Sequence, residues 1–133
     1  MNTPYGISVE VALPYEQALE KMTAALKAEG FGVLTTIDVQ ATMKAKLDVD
    51  FRRYVILGAC NPLLAHRALS LETEIGLLLP CNVIVYERDS GGSIISAMNA
   101  MEAMNFTGNE SLKPIAEEAT ARLKRALEAV RSH

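Results

Sequence analysis

The sequence predicts one domain of mixed strands and helices, in the order β-α-β-(α)-β-α-β-β-α. Residues 5–12 alternate apolar and polar side chains with the two-residue period of a strand. Residues 14–29 and 112–130 repeat apolar side chains at helical spacing. A Ser90-Gly91-Gly92 turn joins two further strand-like runs as a hairpin. With 133 residues, half of them apolar, the chain can bury one core without disulfides or metals.

Residues 5–47 are predicted to contain two strands and two helices. The first strand, residues 5–12, buries Ile7, Val9 and Val11. Pro14 suits the first turn of the helix that follows, and Gly30 ends that helix. A second strand covers 32–37. The carboxylate of Asp38 can then cap a short helix over 39–47.

The third strand, residues 53–59, is apolar on both of its faces. Val55 and Leu57 point one way, and Tyr54 and Ile56 point the other. A strand of this kind is typical of a sheet that is covered on both sides. We therefore expect both faces to be shielded there.

The second half begins with a helix, for which Asn61 is a good N-cap and Pro62 a good first residue. Strands are predicted at 82–86 and 93–98. Pro80 should mark a strand start, an edge or a bulge, because it cannot donate a ladder hydrogen bond. Residues 99–109 look irregular, like a broken helical turn. The last helix then follows.

Charge and hydropathy exclude several classes of protein. The 13 basic and 16 acidic residues are intermixed, without the basic stripe that nucleic-acid-binding proteins usually show. No secretory signal is evident, and no apolar run approaches the length of about 18 residues that a membrane span needs. We expect a cytoplasmic protein with no nucleic-acid or membrane partner.

The two cysteines are the candidate chemical groups. Each lies in a Cys-Asn pair close to a proline: Cys60-Asn61 before Pro62, and Cys81-Asn82 after Pro80. Cys60 is predicted at a helix N-terminus, whose amides and dipole stabilise a thiolate over a thiol. The same amides could instead hold a phosphate or carboxylate. Simple packing is the alternative, because free cysteines are often buried.

Cys81 has no activating dipole of its own. Cys81 is a functional candidate only if the two strand ends approach each other. It could then be a disulfide partner, a resolving thiol or a second metal ligand. His66 could join the cysteines at a metal, but the spacing matches no zinc motif, so we predict none. Lys44 is a candidate to face an anion. No cofactor is evident from the sequence.

The cysteine segments carry a family resemblance. Residues 54–62, then Ala65 and Ala68-Leu69, then residues 75–83 resemble the bacterial and archaeal family called domain of unknown function 302. Ile37-Asp38-Val39 with Lys44 and Lys46, and the terminal helices, fall where that family places them.

The resemblance implies an α+β fold: a single two-layer domain with a mainly antiparallel sheet and helices packed on one face. This layout is similar to the TATA-binding-protein-like fold. The resemblance also implies a homodimer. It implies no activity. The residues of the two motifs carry over as a suspected site without roles: Cys60, Asn61, Pro62, Pro80, Cys81 and Asn82.

Three functions follow from these observations. We expect a small dimeric domain that binds a small anionic or thiol-reactive ligand at Cys60, with Cys81 nearby. The second hypothesis is a thiol-based enzyme or sulfur carrier that uses Cys60. The third is a structural or interaction module whose cysteines only pack. The sequence does not say whether any reaction is catalysed.

Overall fold

The structure, a computed structural model, describes residues 3–132. Five strands form one antiparallel sheet in the order β1-β5-β4-β3-β2, with bounds β1 Gly6–Val11, β2 Gly32–Asp38, β3 Tyr54–Cys60, β4 Cys81–Glu87 and β5 Ser93–Met98. The helices are α1 Tyr15–Ala28, α2 Val39–Leu47, α3 Pro62–Leu71, α4 Ala100–Thr107 and α5 Lys113–Arg131. Short 3-10 turns cover Thr73–Leu78 and Glu110–Leu112. The predicted α+β class is confirmed.

The core lies between the inner face of the sheet and the helices. On β3 and β4, alternate side chains such as Leu57 and Val83 are fully buried. Helices α1 and α5 pack over this face and contribute Met22, Leu26 and Leu123. The long apolar stripe of α5 explains its central place, because one continuous face of the helix can be buried.

The outer face of the sheet carries apolar side chains that are only half-buried. Tyr54 and Tyr86 stack as a direct cross-strand pair with ring centroids 5.3 Å apart. Ile56 and Ile84 form the next pair along the same two strands. Helix α2 buries none of its residues, so it shields little of the sheet. The predicted cover of both faces of β3 is therefore found on one face only.

Residues 99–109, predicted to be irregular, contain the two-turn helix α4. The Asn99 side chain caps it by accepting a 3.0 Å hydrogen bond from the Met101 amide. Gly108, with φ of 71°, ends it in the left-handed conformation that glycine favours. The polar and glycine residues that suggested irregularity are thus the two ends of a helix. Among residues 3–132, no helix is long and apolar enough to cross a bilayer.

Candidate functional site

The two cysteines lie at the same end of the sheet. Cys60 is the last residue of β3, and Cys81, the first of β4, pairs directly with Ala59. Because side chains alternate along a strand, Cys81 points to the inner face with Ala59, whereas Cys60 has the opposite parity. Both cysteines are free. The register thus brings the residues together without aiming one thiol at the other, which does not favour a disulfide.

A cavity of about 310 Å³ opens at this end of the sheet, and both cysteines line it. Its other walls come from α3, α4 and the start of α5. The side chains that form these walls are mostly apolar, and they include Leu64, Ala68, Leu69, Ala100, Ala103, Met104, Ile115 and Ala119. Phe31, buried just before β2, closes another side. The volume falls at the lower end of the range for small-molecule sites.

In the part of the chain that the structure describes, no charged side chain lines this cavity. Among the described residues that line it, side-chain heteroatoms occur in Asn61 and in four sulfur-containing residues, Cys60, Cys81, Met98 and Met104. A dry engineered cavity of about 150 Å³ holds benzene, so this one has room for about twelve carbon atoms. Size and lining together suit a small uncharged organic molecule.

The side chain of Asn61 has a structural role as the N-cap of α3. Its side-chain oxygen accepts a 3.2 Å hydrogen bond from the Leu64 amide, which confirms the predicted N-cap of α3. Pro62, the first helical residue, has no N–H to donate. Two of the amide positions in this first turn are therefore closed to a ligand. The helix end offers less to an anion, or to a thiolate at Cys60, than the sequence predicts.

Cys81 is crowded by surrounding atoms, although part of its surface reaches solvent. This burial raises the pKa of the Cys81 thiol to about 11, and the nearby Cys60 adds to the increase because two thiolates repel each other. Cys81 therefore remains a neutral thiol at physiological pH.

Gly58 allows the cavity wall to close around Pro80. A side chain at Gly58 would meet the Thr35 hydroxyl and would place its Cβ 2.9 Å from Pro80 Cγ. The Leu79-Pro80 peptide bond is cis, and Pro80 immediately precedes β4. The position of Pro80 directly before β4 agrees with the prediction that it marks a strand start. The missing side chain at Gly58 thus lets β2, β3 and the Pro80 turn pack together beside Cys81.

Four other predicted site residues lie away from the cavity lining. Asn82 is exposed opposite Gly58, and Pro62 is exposed at the start of α3. Lys44, on α2, forms an ion pair of 2.9 Å with Asp48. His66 is exposed on α3 and lines a second groove together with Arg67 and Ser70. Within residues 3–132, no three His, Cys, Asp or Glu side chains converge as a metal site would require.

The reasoning from sequence missed the apolar walls of the cavity. The available signal was a set of small residues on three helices, where large apolar residues would otherwise fill the core: Ala65, Ala68, Ala100, Ala103, Ala116 and Ala119. Small side chains on facing helices leave space between them. Only the packed arrangement of the helices shows that these spaces merge.

Comparisons with known proteins identify relatives but no activity. A crystal structure of an uncharacterized conserved DUF302 protein from Bacillus stearothermophilus superposes with a TM-score of 0.89 and 31% sequence identity. The alignment covers 97% of this chain and 100% of that one. No functionally curated protein matches the chain. The family model described as domain of unknown function DUF302 matches residues 7–130, and the chain therefore belongs to this family.

Proposed function

We propose that this protein binds a small, largely uncharged ligand in the cavity beside Cys60 and Cys81. The observation that carries the proposal is a cavity of about 310 Å³ whose lining is apolar and includes both cysteines. Of the two ligand classes expected from the sequence, anionic and thiol-reactive, this lining favours the second. A carboxylate or phosphate would lose its hydration there without meeting a cation.

Cys60 is the better candidate for a reacting thiol. It is partly exposed at the end of β3, whereas burial keeps Cys81 protonated. A thiol-reactive ligand would therefore react at Cys60 in preference to Cys81. In this proposal Cys81 serves as a neutral, polarisable part of the wall.

A thiol-based enzyme or sulfur carrier is the second candidate, favoured by the same exposure of Cys60 at the cavity wall. In such a step the Cys60 thiolate attacks one sulfur of a disulfide ligand. The ligand's S–S bond breaks, a mixed disulfide forms, and the other ligand sulfur leaves as a thiolate. Repeated release of product from a catalytic amount of protein would distinguish this activity from simple binding.

The proposal includes a homodimer formed through the outer face of the sheet. The half-buried rows of Tyr54, Ile56, Ile84 and Tyr86 lie side by side on β3 and β4. An isologous pairing of two such faces would bury these side chains, as a twofold dimer requires. The two free cysteines suit a reducing compartment, which supports a cytoplasmic location.

The binding proposal is tested by filling the cavity. Ala103 lines it on α4, so Ala103→Phe should occupy the space that the ligand needs. We expect 1-aminonaphthalene, a neutral fluorophore, to brighten saturably with the wild-type protein and to bind Ala103→Phe at least about tenfold more weakly.

The matched control is Ala24→Phe, on the exposed side of α1, which should bind like the wild type. Circular dichroism would verify that both variants are folded. Equal binding by the wild type and a folded Ala103→Phe variant would rule out this cavity as the site.

A further inference from the structure

We infer that the ligand presents an uncharged aromatic ring system, about the size of two fused rings, to the sulfur atoms of the cavity. This inference rests on the proposed function and specifies the chemical class of its ligand. Three features of the cavity support it: the sulfur-containing residues in its lining, its volume, and the lack of charged side chains among the described residues that line it.

Sulfur is concentrated in this part of the molecule. Met98 comes from the end of β5, Met104 from α4, and the cysteines from β3 and β4, yet all four line one cavity. Thioether and thiol sulfurs are polarisable and make favourable contacts with aromatic rings. A saturated hydrocarbon ligand would gain no such contact, and leucine in place of methionine would bind it equally well.

The volume selects the size of the ring system. One ring fits a cavity about half as large, so a space of about 310 Å³ accommodates two fused rings with little room to spare. A bare metal ion is a poor fit by the same measure. Sulfur ligands hold an ion at about 2.3 Å, a distance far shorter than the width of a cavity for about twelve carbon atoms.

The lack of charge constrains the inserted part of the ligand. Among residues 3–132, no lysine, arginine or histidine lines the cavity, and the oxygen of Asn61 accepts a hydrogen bond from the Leu64 amide. A charged substituent on the buried rings would therefore be desolvated without compensation. Any polar substituent must lie at the opening.

The experiment is an NMR titration of protein labelled at the methionine methyl groups, using naphthalene, its saturated analogue decalin and naphthalene-2-carboxylate. We expect naphthalene to shift the Met98 and Met104 methyl signals by its ring current and to leave Met43, on α2, unchanged. Met104→Leu retains the apolar volume and removes the sulfur. This substitution should lower the affinity for naphthalene about two- to tenfold and change the affinity for decalin less than about twofold.

The control variant is Met101→Leu, on the same helix but outside the cavity lining, which should bind both hydrocarbons like the wild type. Equal weakening of naphthalene and decalin by Met104→Leu would overturn the inference, because shape alone would then explain the loss. The inference also fails if naphthalene-2-carboxylate binds as tightly as naphthalene without a ring-current shift at Met98 or Met104, because the charged group would then be the inserted part. If neither hydrocarbon binds the wild-type protein, the proposed function fails as well.

Discussion

At the scale of single residues, the two cysteines differ because the sheet register and local packing treat them differently. Cys81 faces the inner side of the sheet beside Ala59, in a crowded setting that opposes a negative charge. Cys60 ends its strand at the cavity wall, partly exposed. The similarity of the two Cys-Asn pairs in the sequence therefore does not extend to their chemistry.

The first prediction concerns alkylation of Cys81 in a Cys60→Ser variant, where Cys81 is the remaining thiol. Its pKa, raised from 9.0 to about 11, means that iodoacetamide should react about 100-fold more slowly at pH 8 than with an ordinary thiol. The rate should keep rising with pH to about 11. A rate of alkylation that stops rising below pH 9 would contradict the burial of this thiol. The Cys81→Ser variant gives the corresponding rate for Cys60.

The same shift predicts how stability depends on pH. The folded state holds the Cys81 proton more tightly than the unfolded chain, so the contribution of this group is fully present below pH 9 and is lost as pH rises towards 11. The free energy of unfolding from urea titrations should fall over this range more steeply in the wild type than in Cys81→Ser. Parallel curves would show that Cys81 is not responsible.

A third prediction tests the packing of Pro80 against β3. Gly58→Ala should destabilise the protein by about 1–3 kcal/mol, because the new methyl group meets Thr35 and Pro80. Gly32→Ala is the matched control on the adjacent strand, since no atom of the described residues lies within 4 Å of the Cβ that it would add. Urea denaturation measures both. Equal stability of the two variants would show that this contact is unimportant.

At the scale of elements, two helices carry similar side-chain caps but differ in what they bury. Asn61 caps α3, which contributes Leu64 and Ala68 to the core, whereas Asp38 caps α2, which buries nothing. Asn61→Ala should therefore cost about 0.5–2 kcal/mol of unfolding free energy. Asp38→Ala should stay within about 0.5 kcal/mol, because fraying of α2 exposes no core. The reverse order in urea denaturation would contradict this assignment.

Most element boundaries could be predicted because local signals agree with the final packing. Alternation in β1, helical spacing in α1 and the Asn61-Pro62 start of α3 each require only neighbouring residues to be read correctly. Helix α4 was missed because it is short and its caps, Asn99 and Gly108, resemble a loop composition. Its helical state is supported by burial of Ala100 and Met104 against the rest of the protein, which sequence patterns do not display.

At the scale of the whole molecule, the cavity could not be predicted because its walls come from strand ends, two separate helices and the start of a third. Sequence reasoning selected the cysteines and Asn61 from a local turn pattern. The remaining walls, such as Leu64, Met104 and Ile115, look like ordinary core residues. Their common role depends on how α3, α4 and α5 meet, and this is a tertiary property.

The outer face of the sheet gives a further prediction at this scale. If two copies pair through it, sedimentation should return twice the chain mass of 14.4 kDa. Ile56→Lys would bury a charge in that interface and should yield monomers, whereas Glu117→Lys, at an exposed position of α5, should remain dimeric. A wild-type monomer at micromolar concentration would contradict the proposed pairing.

The central claim is that a small uncharged ligand occupies the cavity beside the two cysteines. The most direct measurement is anomalous X-ray diffraction from crystals soaked with iodobenzene, since iodine scatters anomalously far more strongly than any atom of the protein. The account predicts a strong peak enclosed by Leu64, Met104 and Ile115, and none in crystals of Ala103→Phe. Iodine peaks confined to the outer surface, with the cavity unoccupied, would contradict it.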